Sequence, residues 1–147
     1  MKNEVVAAEV AAFLRARLDE DEADARAATP GAWSADDSDY AGAIRSCGGA
    51  DVIAGGRRGG DASVSESTED APRIARYDPA RVLRDVEATR GVLAMYDQMV
   101  VDMAAPDAAT SGPGRIAVTV LTPVLCHLAR AYSDHPDHRA DEWAPII

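Results

Sequence analysis

The sequence predicts an α+β fold, mainly helical, in which an N-terminal, a central and a C-terminal helix pack with a small antiparallel β-meander. Apolar residues recur every three or four positions over residues 3–27 and 79–102, a spacing typical of amphipathic helices. Short β-compatible runs separated by glycines occupy residues 40–67. Because 147 residues suffice for one ordinary domain, we expect a single domain over residues 1–147.

The N-terminal helix, predicted over residues 3–27, begins after Asn3, an acceptable N-cap. Thr29-Pro30-Gly31 ends it, because proline disfavours helical geometry in the residue before it. Trp33 follows directly, and in a chain with seven aromatic residues we expect its indole to anchor a small core. The apolar stripe of this helix consists of Val6, Val10, Phe13, Leu14 and Leu18.

The β-meander is predicted from three short runs at residues 43–44, 50–54 and 62–67. Glycine pairs and the glycine-rich segment 55–60 separate these runs. A sheet of two or three such strands is stable only when a helix packs on it.

The central helix, predicted over residues 79–102, has the strongest local signal in the chain. Asp78 is an N-cap residue directly before Pro79, whose fixed backbone angle and missing N–H suit the first helical position. Its apolar positions then alternate spacings of four and three: Val82, Val86, Thr89, Leu93, Tyr96 and Val100.

The C-terminal third is predicted to contain a loop over 104–114, a helical region over 115–132 and an extended tail over 133–147 pinned by Trp143. Residues 116–121 form a short apolar run that fits either a buried strand or a helix, and we favour the helix. Pro123 either starts a new helix after Thr122 or kinks one that runs through.

Composition limits the size of the core. Alanine accounts for 30 residues, whereas Leu, Ile, Val and Phe together number 27. No run of about 18 apolar residues occurs, so a membrane span is excluded. So few large apolar residues cannot fully bury the apolar stripes of the helices within one subunit. We therefore expect a homo-oligomer.

Charge is concentrated in the N-terminal third. The net charge is −10, and residues 1–40 contribute −6 of it, so direct binding of nucleic acid has no electrostatic support. The acidic run is either a solvated face or a patch for a basic protein partner; its members are Asp19, Glu20, Asp21, Glu22 and Asp24. Arg57 and Arg58, within the glycine-rich segment, are candidates for binding an anion or a partner if that segment is more than a flexible hairpin tip.

Metal and nucleophile chemistry have weak sequence support. The candidate metal ligands are Asp134, His135, Asp137 and His138, which an extended, proline-containing segment would scatter. Cys47 and Cys126 lie 79 positions apart without a CxxC spacing, which favours neither a disulfide framework nor a zinc site. Cys126 and its neighbour His127 point about 100° apart on a helix, so they do not form a nucleophile–base pair. We expect no cofactor, and a cytoplasmic location, because the N-terminus lacks a signal-peptide pattern.

One resemblance rests on five segments and one tryptophan: residues 13–22, 28–33, 67–69, 74–83 and 132–136, with Trp143. In these segments the chain resembles an uncharacterised family of small actinobacterial and actinophage-associated proteins, a domain of unknown function. Ala32 stands where a second proline is usual in the family, and a zinc site of some members does not carry over, because their cysteine-rich insert is missing here. The resemblance implies a cytoplasmic, mobile-element or accessory context and supplies no catalytic residues.

The expected function is therefore that of a non-catalytic interaction or accessory protein that self-associates. One alternative is an acidic modulator of a nucleic-acid-binding protein, acting through the carboxylates of residues 19–24. The other is a metal-dependent enzyme that uses Asp134, His135 and His138.

Overall fold

The computed structural model describes residues 2–35, 43–49, 51–53 and 70–143, and this part of the chain confirms the predicted α+β, mainly helical fold. The strands are β1 (Trp33–Ala35), β2 (Ile44–Ser46) and β3 (Asp51–Ile53). A 3₁₀ helix at Arg130–Tyr132 follows the last of the helices, which are α1 (Lys2–Ala27), α2 (Asp70–Arg76), α3 (Pro79–Met103) and α4 (Ala108–Ala129).

The chain divides into two compact units. The first consists of Met1–Glu20 with Glu87–Ile147, and the second of Asp21–Val86. The boundaries fall inside α1 and α3, so the single domain over residues 1–147 stays a prediction.

In the first unit, α1 and α3 are antiparallel neighbours. Arg15 pairs with Asp97 at 2.5 Å, and Asp19 pairs with Arg90 at 2.6 Å, so residue numbers rise along α1 as they fall along α3. The core of this unit contains the buried side chains of Val10, Leu14, Leu93, Tyr96, Val118 and Leu125.

Gly114 allows α4 to approach α3 closely. A Cβ atom at this position would lie 3.0 Å from the backbone nitrogen of Met103 and 3.1 Å from the carbonyl oxygen of Met99. A larger residue would therefore push the two helices apart, since both neighbours are backbone atoms.

The second unit contains the sheet, with strand order β1-β2-β3 and both pairings antiparallel. Ile44 and the two buried alanines of α2, Ala71 and Ala75, form its core, and Trp33 packs against them as predicted. The prediction of a sheet confined to residues 40–67 is wrong at its start, because Trp33 opens β1 and pairs with Ser46. The strand predicted at residues 62–67 lies outside the described residues.

In the second unit, α2 was not predicted from the sequence, and the role of Gly31 was predicted only in part. The helix α2 is only seven residues long and has no periodic apolar signal of its own. Gly31 adopts a φ of 101° and faces the side chain of Cys47, so glycine is required at the turn that ends α1.

The C-terminal third differs from its prediction in two places and agrees with it in a third. The loop predicted over 104–114 is wrong from Ala108 onward, because α4 begins there and continues through Pro113 and Pro123. Residues 115–122 are helical, not strand, as favoured. Residues 133–143 form successive hydrogen-bonded turns, not an extended tail, and Trp143 is buried. No helix in the described residues is long and apolar enough to cross a membrane.

Candidate functional site

The helix α4 carries apolar side chains on two opposite faces. Its inner face is buried and consists of Val118, Thr122, Leu125, Cys126 and Ala129. Its outer face consists of Ile116, Val120 and Val124, which are spaced by four residues and are 69%, 63% and 40% exposed. A helix that is apolar all round is normally buried all round. The other described residues therefore leave much of the outer face exposed, although its composition calls for cover.

An apolar groove runs beside the outer face, between α3 and α4. It has a volume of about 420 Å³. Met95, on its α3 side, is 55% exposed. Contiguous apolar surface of this kind is typical of interaction sites, and methionine side chains adapt readily to a partner. The groove is lined by Met95, Met99, Pro113, Ile116, Ala117, Val120 and Leu121.

The charge on α4 is unusual for this chain. Between Ala108 and Ala129 the sequence contains no carboxylate and one arginine, Arg115, although the whole chain carries a net charge of −10. Unlike most of the acidic chain, α4 therefore offers a partner no negative side chain.

The inner face satisfies its polar groups internally. The Thr122 hydroxyl donates a hydrogen bond to the Val118 carbonyl oxygen at 2.7 Å. Burial raises the pKa of the Cys126 thiol above its usual value of 9.0. His127, the next residue, is exposed, whereas Cys126 is buried.

The predicted acidic run is partly neutralised by arginines of the same chain. In the first unit, Asp19 pairs with Arg90 at 2.6 Å and Glu20 with Arg17 at 2.8 Å. In the second unit, Glu22 pairs with Arg26, one turn later on α1. Asp21 is half-buried and Asp24 is exposed. The carboxylates that a basic partner would contact are thus already engaged in part.

The predicted metal ligands lie in the turns after α4, where His135 contacts α1. The Arg17 guanidinium donates to Nδ1 of His135 at 2.8 Å, and the Asp137 backbone N–H donates to the same nitrogen at 3.1 Å. Asp137 itself is exposed, with a carboxylate oxygen 3.9 Å from that ring nitrogen. Asp134 is exposed too. Within the described ranges, no group of three His, Cys, Asp or Glu side chains is arranged to hold a metal ion.

His135 and His138 instead belong to an aromatic cluster around Phe13, which was not predicted from the sequence. The Phe13 ring centroid lies 4.9 Å from that of Trp143 and 5.9 Å from that of His138. Arg17, only 8% exposed, places its guanidinium carbon 5.4 Å from the Phe13 centroid. The histidines thus pack the C-terminal turns against α1. In the sequence, this packing was indicated by the expected anchoring of the tail by Trp143.

In the second unit, Asp78 connects the start of α3 to the turn that follows α1. Its Oδ1 atom accepts a hydrogen bond from the Arg81 backbone N–H at 2.6 Å, which confirms the predicted N-cap of α3. Its Oδ2 atom accepts one from the Trp33 backbone N–H at 3.4 Å, and the Trp33 indole donates to the Thr29 carbonyl oxygen at 3.0 Å. These bonds hold the turn after α1 against the start of α3.

Two further candidates, Arg57 and Arg58, lie outside the described residues. The outer face of α4 was not among the predicted sites, although a signal for it exists. Ile116, Val118 and Val120 alternate like a strand, and on a helix this alternation places apolar side chains on opposite faces.

The model of a family of unknown function, DUF6221, matches residues 7–145, so the chain belongs to this family. This match confirms the resemblance to a domain of unknown function. No curated protein and no solved structure matches the chain.

Proposed function

We propose that this member of a family of unknown function is a non-catalytic interaction protein that self-associates. The observation that carries the proposal is the exposed outer face of α4, where Ile116 and Val120 are more than half exposed on a helix whose other face is also apolar. Contact between such an apolar face and water is unfavourable, and a partner that covers the face removes this unfavourable contact.

The energetics favour association. Burying a fully exposed aliphatic side chain of this size contributes about 1.5–3 kcal/mol. The three side chains of the outer face and Met95 in the neighbouring groove are 40–69% exposed, so each can contribute part of that amount. The small number of large aliphatic residues in the chain also favours association. Each such residue left in water is a substantial part of the apolar surface that the chain has available for burial.

Size-exclusion chromatography with light scattering tests this proposal on the full chain. We expect a mass above that of the 15.5 kDa monomer at micromolar concentration, with a shift toward the monomer on dilution. A mass of one chain at every micromolar concentration would remove the physical motive for the proposal.

The alternative function, an acidic modulator of a nucleic-acid-binding protein, has less support. The pairing of Asp19, Glu20 and Glu22 with arginines reduces the charge that a basic partner would meet. Reversing Asp21 and Glu22 to lysine tests it, by capture of a basic, nucleic-acid-binding partner from lysate. Capture of such a partner that disappears on reversal would favour this alternative, and unchanged capture would contradict it.

We also propose a cytoplasmic location and an actinobacterial mobile-element or accessory context. Cys47 and Cys126 are both free thiols, which fits a reducing compartment. Fourteen of the 15 basic residues are arginine, which is typical of a GC-rich genome. Fractionation of the native host, followed by detection of the chain, would test the location.

A further inference from the structure

We infer that the outer face of α4 binds the same face of a second copy across a two-fold axis, so that two α4 helices cross at the centre of a dimer. The inference rests on the proposed self-association and adds the surface, the symmetry and the residues in contact. It makes the α3–α4 groove the receptor for the second copy's α4.

The first argument is that this surface is complementary to itself. Ile116, Val120 and Val124 follow one another at every fourth position and form a ridge. The groove between α3 and α4 lies directly beside the ridge and shares Ile116 and Val120 with it. A two-fold rotation can therefore place each ridge in the groove of the other copy, as an isologous contact requires.

The geometry of such ridges is well defined. When rows of residues four apart from two helices interdigitate, the helices cross at about 50°, the commonest class of helix packing. Gly114 contributes to this surface, because the absence of a side chain there lets α4 lie close to Met99 and Met103.

The second argument is electrostatic. Two copies of a chain with a net charge of −10 repel each other wherever carboxylates meet. The segment 108–129 has none, so two copies can approach there without juxtaposing like charges from α4. A basic partner would find no carboxylate on α4, and an anionic partner would find only Arg115. A second copy is the occupant that this chemistry favours.

The inferred arrangement places the two-fold axis at Val120, the middle residue of the ridge, so that this residue faces Val120 of the partner subunit. With the two α4 helices antiparallel, Ile116 then faces the partner subunit's Val124. Thr119 is also exposed, but it points about 100° away from Val120 and lies off this contact.

Disulfide cross-linking tests the arrangement in full-length chains that also carry Cys47→Ser, which removes the exposed native thiol. We compare Val120→Cys with the matched control Thr119→Cys under mild oxidation, with helicity measured by circular dichroism for both. Residues facing each other at the axis approach within the Cβ–Cβ distance of a disulfide. We expect Val120→Cys to form covalent dimers about tenfold or more faster than Thr119→Cys.

The outcomes separate this inference from the proposed function. A dimeric wild type with selective cross-linking at position 120 supports both. A dimeric wild type in which the two variants cross-link equally slowly, or equally fast, overturns the α4 contact and leaves self-association standing. A monomeric wild type overturns both. If that monomer binds an apolar dye and Val120→Asp abolishes the binding, the outer face of α4 is assigned to a different partner.

Discussion

The two faces of α4 have similar chemistry and opposite environments. On the inner face, Val118 and Leu125 are at most 1% exposed, whereas Ile116 and Val120 on the outer face are more than 60% exposed. Both sets are aliphatic, so hydrophobicity does not distinguish them. The difference is that the core of the first unit covers one face, whereas the part of the chain that the structure describes leaves much of the other exposed.

This contrast indicates two separate roles for one helix. The inner face contributes to the stability of a subunit, and the outer face contributes to association between subunits. Substitutions on the two faces should therefore change different measurements, which the following predictions use.

The largest effect is expected from Leu125→Ala on the inner face. Leu125 is fully buried, so truncation loses transfer free energy and leaves a cavity, and we expect a loss of about 2–5 kcal/mol in the free energy of unfolding. The matched control is Val124→Ala, one residue away on the outer face. Urea unfolding at low protein concentration should change far less for it, and equal losses for the two variants would contradict the distinction between the faces.

A smaller effect of either sign is expected from two helical glycines. At Gly114 a methyl group would meet backbone atoms of α3 at 3.0–3.1 Å, and the strain should exceed the helix-propensity gain, giving a loss of about 1 kcal/mol. At Gly91 of α3 a methyl group would meet no atom of another segment within 4 Å, so Gly91→Ala should stabilise by up to about 1 kcal/mol. Thermal unfolding of both variants checks the opposite signs. Stabilisation by Gly114→Ala would mean that the helices are not in close contact there.

Alkaline pH should destabilise the core of the first unit, in which both Cys126 and Tyr96 are buried. Burial raises the pKa of Cys126 above 9.0 and that of Tyr96 above 10.0, so the folded chain keeps protons that the unfolded chain releases. This contribution is complete below pH 9 and is lost as the pH rises through the raised pKa values. The free energy of unfolding should fall above pH 9, less steeply in Cys126→Ala than in Cys47→Ser. A free energy that rises over this range would contradict the burial of both groups.

The smallest structural change is detected by thiol reactivity. Cys47 is exposed and Cys126 is buried with a raised pKa, so a thiol reagent should modify one thiol per chain quickly in the native protein. The second should react only on unfolding. Two rapidly reacting thiols in the wild type, or one rapidly reacting thiol in Cys47→Ser, would mean that Cys126 is exposed to solvent.

The sequence predicted those parts of the fold that local chemistry determines. The helix start at Asp78 and Pro79 was predicted because an N-cap and a proline act within one turn, and the Asp78 hydrogen bond to Arg81 confirms it. The strand at Trp33 was not predicted, because its pairing with Ser46 depends on residues distant in sequence. The start of α4 was missed because Pro113 and its flanking glycines resemble a loop, whereas the contact of Gly114 with α3 favours the helix.

The candidate sites follow the same rule. The acidic run was visible in the sequence, but the partnership of Asp19 with Arg90 joins residues 71 positions apart. The histidines were visible too, but their use in a cluster around Phe13 depends on contacts across more than 100 residues. Which apolar stripe a subunit buries is likewise decided by tertiary packing, so the exposure of Val120 could not be derived from periodicity alone.

Sedimentation equilibrium of the wild type beside Val120→Asp tests most directly whether the outer face of α4 holds a second copy. The account predicts a wild-type mass that rises toward twice 15.5 kDa with concentration, and a variant with unchanged helicity that stays at the mass of one chain. The aspartate would place two carboxylates across the axis in an apolar contact, which is strongly unfavourable. A variant that associates as tightly as the wild type would contradict the account.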